Sequence, residues 1–142
     1  MTEQTQASLI DVDLDDARAL RTLGDNSETR LSIVRAQLDL NKSQPQEYGV
    51  YNIHLWLDCG EADVDDVQAW IPVPNTAWKA GNFKEYTKAV NRFKDFCQAF
   101  GFTPPVTADR LVGLTGWAII SEEEDDRNPG RMRNGVRSWV SR

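Results

Sequence analysis

A small, mainly β domain, a five-stranded barrel with one helix between its third and fourth strands, is the fold this chain predicts. Three observations carry that expectation. Short apolar runs rich in β-formers recur along residues 28–142, the clearest of them alternating at period two. A single run at helical spacing, Phe83 to Phe100, stands between the third and fourth of them. The first run also changes phase in its middle, as a strand does when a bulge bends it into a small barrel.

Each element follows from its residues. Residues 1–27 read as an acidic arm, in which Asp15 to Leu23 could form a short helix ended by Gly24. Arg30 to Leu40 is the first strand: Leu31 and Ile33 fit one face, then Val34, Ala36 and Leu38 the other. Val50 to Leu57 is the cleanest strand, with Tyr51, Ile53, Leu55 and Leu57 on the core side and Asn52, His54 and Trp56 opposite. Val67 to Val73 turns Val67, Ala69, Ile71 and Val73 inward and Gln68 and Trp70 outward, with Pro72 and Pro74 at its end. Thr76 to Asn82 reads as a loop. The helix follows, with Gly101 as its C-cap and Pro104-Pro105 preventing resumption. Leu111 to Ile120 and Gly135 to Val140 form a closing hairpin whose charged tip holds the turn signal Asn128-Pro129-Gly130. Three strands, a helix and two strands is the order of the OB-fold. That places an OB-like domain over 28–142 behind the arm, with an open α+β sheet as the competing arrangement.

Composition bounds the class. With 142 residues, 40% hydrophobic and 27% charged, the chain is one domain's worth of ordinary globular sequence. No apolar run approaches the roughly 20 residues that span a bilayer. The N-terminus shows neither a basic n-region nor an apolar h-region, so the expected compartment is the cytoplasm, with Cys59 and Cys97 as thiols. The net charge of −6 argues against a polyanion partner until its distribution is considered. Six acids against Arg18 and Arg21 give residues 1–27 a net of −4, and five more acids fill Glu122 to Asp126. The remaining body is slightly basic.

Catalytic chemistry finds no support. The lone histidine, His54, sits mid-strand with no nucleophile elbow near it. His54, Cys59 and Cys97 lack the short ligand spacings of a zinc site, and no Walker loop or dinucleotide fingerprint occurs. The expectation is therefore no enzyme, no metal and no cofactor. Gly113-Leu-Thr-Gly116 mimics a KH clamp but lies in an apolar strand, where glycines let a strand bend or pass close to a helix. Lys84, Lys88 and Arg92 make a basic stripe that reads as a solvated helix face. The acids Glu122 to Asp126 read as a solvated loop that competes for the binding groove or a partner rather than a cation site.

The outward aromatics are more informative. Trp56 and Trp70 fall on solvent faces of neighbouring strands, where indoles can hold bases by stacking whatever their sequence. Asn52, His54 and Gln68 share those faces. Arg30, Arg35, Lys42, Arg131, Arg133 and Arg137 are the candidate phosphate contacts, the last three from an acid-free arginine ribbon. The same tryptophans could instead meet a protein partner or the arm.

With these elements placed, the chain resembles a family of small phage-encoded proteins of formally unknown function, regarded as OB-fold single-stranded-DNA-binding proteins. The resemblance runs from about Asp13 to the C-terminus: ETRLSIVRAQLDLNKS, YNIHLWLDC, WIPVP, RFKDFCQAFGF, LVGLTGWAII and RNGVRSWV, in that order. It implies sequence-independent binding of single-stranded DNA during phage replication or recombination, in the host bacterial cytoplasm. It also implies phage replication or recombination proteins as partners, and it carries no catalytic residues. A non-catalytic protein-interaction or virion-associated module on the same barrel is the alternative.

Overall fold

A computed structural model describes residues 13–142. The first twelve residues of the expected acidic arm lie outside those described. Five antiparallel strands form one sheet in the order β3-β2-β1-β4-β5: β1 Glu28–Leu40, β2 Tyr51–Asp58, β3 Val67–Pro72, β4 Thr115–Glu124 and β5 Met132–Val140. Helices α1 Thr76–Gly81, α2 Phe83–Phe100 and the single turn α3 Ala108–Leu111 lie between β3 and β4 in the chain. The sheet curls until its edges β3 and β5 touch, yet among the described residues no ladder joins them. The strands thus form an open sheet with touching edges.

The bulge that the phase change predicts is present. Ile33 opposes Leu57 and Arg35 opposes Trp56, which leaves Val34 as the extra residue. Its consequence is topological. The ladder with β4 runs to Ser32, and the Ile33 backbone still exchanges hydrogen bonds with Gly113 and Leu114; beyond the bulge only β2 pairs with β1.

Alternation fills the core. Leu31, Ile33, Ile53, Leu55, Leu57, Val67, Ala69, Ile71, Ala118 and Ile120 are buried beneath Phe96 and Phe100 of α2. Tyr51 departs from the expected pattern. It opposes Leu40 at the far end of the hairpin, beyond the cover of α2, and both remain exposed. Gly101 ends α2 at φ 70°, a left-handed cap that glycine adopts without a Cβ penalty. Gly116 lets β4 approach that helix: a Cβ there would stand 2.7 Å from the Ala99 carbonyl oxygen.

Several expectations change. Thr76 to Asn82 is not a loop, because Asn75 caps the Trp78 amide at 2.8 Å and opens α1, whose Trp78 is buried with Val50 and Ala89. The start of the fourth run is not strand: Ala108–Leu111 is a helical turn, and β4 begins at Thr115. The expected arm helix over residues 15–23 is only a 3-10 turn, Leu14–Asp16. Residues 21–27 instead form a strap along the body. Arg21 makes a parallel bridge to Val64, Asn134 exchanges two hydrogen bonds with the Leu23 backbone, and Asn26 donates to the Ile120 carbonyl.

Candidate nucleic-acid interface

The outer face of β2 and β3 carries the aromatic residues, and the register determines which of them meet. His54 is directly opposite Trp70, and Trp56 is opposite Gln68. The His54 ring lies 4.4 Å from Trp70, stacked at 20°, and 3.7 Å from Trp56 at 30°. The Arg35 guanidinium lies 4.3 Å above the Trp56 ring. The two indoles therefore do not form an empty slot, since an imidazole already separates them. This position also explains why His54 is only 8% exposed although it points away from the core.

Polar contacts brace the stack. His54 Nε2 is 2.9 Å from Gln68 Oε1, and Nδ1 is 3.3 Å from the Asp39 carboxylate. Gln37 donates to Asp39 at 3.0 Å and accepts from Arg35 at 3.2 Å. Asn52 accepts from Asn41 at 3.0 Å beside this chain. The outcome is unequal indoles. Trp56 is half-buried with two neighbours against its ring, whereas Trp70 is 42% exposed.

A cleft of about 620 Å³ opens in front of this platform. His54, Trp56, Gln68 and Trp70 line one wall, and Arg127, Arg131 and Arg133 of the β4–β5 hairpin line the other. The edge-to-edge approach of β3 and β5 brings the two walls together. Arg131 and Arg133 thus share one cleft with the aromatic platform.

Five other candidates do not line it. Arg137 is the extra residue of a second bulge, between the pairs Ile119–Ser138 and Ile120–Val136. The bulge changes its phase from that of Arg133 and turns it to Asp25 at 2.9 Å. Arg30 donates to Thr115 at 3.2 Å along the β1–β4 pair, outside the cleft. Lys42 is exposed past the end of β1, and Asn52 lies beside Asn41; neither lines the cleft. Arg35 reaches the platform through Trp56.

Acids share the cleft. Asp65, Asp66, Asp125 and Asp126 line it, and Asp65 is 3.9 Å from Arg131. Desolvation, then the neighbouring Asp58 and Asp65 carboxylates, pushes the Asp66 carboxyl above its usual range. Asp125 is held below its usual range by the Arg127 backbone N–H, then the Asn128 side chain, with Arg133 and Arg131 adding to the effect. The acidic run is also not wholly loop, since Glu122 to Glu124 belong to β4. Asp65, Asp66 and Arg127 were not among the sequence-based site residues. They come from the β2–β3 connection and the hairpin tip, which only folding sets face to face. No protein-family model matches the chain, and a search of the curated proteins finds no match.

Proposed function

We propose that this protein binds single-stranded DNA without regard to sequence, on an OB-like fold, in phage replication or recombination. One observation carries the reading: an aromatic stack ending in an exposed indole faces a wall of arginines across an open cleft. Trp70 offers a ring face on which a base can stack, and Arg127, Arg131 and Arg133 lie within the same cleft for the phosphates. A ring face accepts any base, which suits sequence-tolerant binding. The near-contact of β3 and β5 supports the barrel-like description, in which one more ladder would close the sheet.

The acids in the cleft favour a second reading, a protein-interaction module whose partner is of mixed charge. One titration separates the two. Fluorescently labelled oligo-dT added to the protein at low and at moderate salt should bind, and bind less well as salt rises. Folded protein that leaves the oligonucleotide free at low salt refutes the first reading and leaves the second.

A further inference from the structure

We infer that the distal half of β1, Arg35 to Leu40, pairs antiparallel with the same segment of a second copy, making a two-fold dimer. Three independent features of that segment agree.

The first is an unpaired backbone edge. The Asn41 amide donates to the Val50 carbonyl at 2.8 Å, so odd-numbered residues of this half turn their backbone groups to β2. By alternation Ala36, Leu38 and Leu40 present their N–H and C=O groups on the opposite side. Among the described residues no strand pairs there, because the Val34 bulge marks the point at which β1 leaves β4. An edge of this kind is a template for another strand.

The second feature is apolar exposure along this segment and beside it. Leu38 is 60% exposed, Leu40 43% and Val34 46%, beside exposed Tyr51 at the end of β2. Leu38 and Leu40 belong to the core-facing side of the hairpin, opposite Ile53 and Tyr51.

The third feature selects the occupant. Place a two-fold axis through Gln37, so that it opposes its own copy. Arg35 then opposes Asp39 of the second chain, and Asp39 opposes Arg35. Ala36 opposes Leu38 in both directions, and Val34 opposes Leu40. Every charged position meets its complement and every apolar position meets an apolar one. Ala36 and Leu38 form the hydrogen-bonded pairs, as their outward backbone groups require. Shifting the axis by one residue, to Leu38, removes the charge pairing by setting Asp39 against Gln37. A second copy of this chain therefore satisfies the edge, the apolar face and the charges together. Its outer face would also join two aromatic platforms side by side.

Sedimentation equilibrium of the full chain across the micromolar range should give a species of twice the 16.1 kDa chain mass. Leu38→Lys, at a position exposed in the single chain, should yield monomer with an unchanged circular-dichroism spectrum. Arg35→Asp and Asp39→Arg each set like charges opposite one another twice, and each should weaken the dimer by at least about tenfold. The double variant restores both pairs and should restore the dimer, an outcome that misfolding of a single variant cannot produce. Gln37→Cys should form an intermolecular disulfide under mild oxidation, since directly opposed residues hold Cβ atoms about 4.5–5.5 Å apart. A monomeric wild type overturns the inference, as does a dimer indifferent to Leu38→Lys and to both charge reversals. Cross-linking through Leu38→Cys but not Gln37→Cys overturns the register on which it rests.

Discussion

Replacing the two platform tryptophans one at a time should give unequal results, because the structure makes them unequal. Trp70 is 42% exposed and stacks on His54 alone, 4.4 Å away. Its replacement by alanine should remove one base-stacking surface, costing about 1–3 kcal/mol of oligonucleotide binding. At 1.4 kcal/mol per tenfold that is a loss of roughly 5- to 150-fold. The fold should forfeit the stacking on His54, about 0.5–1.5 kcal/mol beyond the area the ring buries. Trp56→Ala removes more internal structure: a His54 stacking of about the same size and the Arg35 cation–π interaction of roughly 0.5–1 kcal/mol. It should therefore destabilise the fold by about 1–2.5 kcal/mol, while weakening binding less than Trp70→Ala does. Anisotropy of labelled oligo-dT measures the first quantity and urea denaturation the second. If Trp70→Ala leaves affinity within about twofold of wild type while Trp56→Ala abolishes it, the exposed indole is not the stacking surface.

Replacing Arg131 and Arg133 with glutamine should reduce the slope of log affinity against log salt by about 0.7 for each phosphate no longer neutralised, whereas Arg137→Gln should leave it unchanged; equal effects from all three would contradict the turn of Arg137 toward Asp25. Asn134→Ala leaves the Leu23 amide without its acceptor and should cost about 1–3 kcal/mol, with faster amide exchange at residues 21–27 as the specific sign that the strap has loosened. Gly116→Ala would set a Cβ against the Ala99 carbonyl oxygen and the Phe100 ring and should destabilise the fold by about 1–3 kcal/mol in thermal melts. Asp25 is held below its ordinary 3.8, first by the Glu122 backbone N–H and then by Arg137. A depressed carboxyl stabilises the fold above its unfolded pKa and loses that contribution as pH falls through the folded value. Asp25→Asn should accordingly flatten the acid limb of the stability curve below about pH 4, and an unchanged limb would show that the Asp25 carboxylate does not contribute.

Features that depend on near neighbours were legible in the chain before any fold was known. Period-two alternation located β1, β2 and β3, helical spacing marked the bounds of α2, and the phase change in β1 located its bulge. These signals are local because a strand or helix repeats its facing every two or 3.6 residues. Alternation also turned His54, Trp56, Gln68 and Trp70 outward correctly. It could not show that His54 fills the space between the indoles, since that depends on which residue of β3 lies opposite, a matter of register. The misread Thr76–Asn82 segment has a related cause: a six-residue helix has too few turns to display periodicity, and its stability comes from burying Trp78 against Val50 and Ala89. Arg137 shows the limit most clearly. It follows Arg131 and Arg133 in one acid-free run, but a bulge in the ladder with β4 turns it away from them. The cleft, with its opposed arginines and aspartates, exists only because the sheet curls far enough to bring β3 to β5. That curvature is a property of five paired strands together, and no window of sequence contains it.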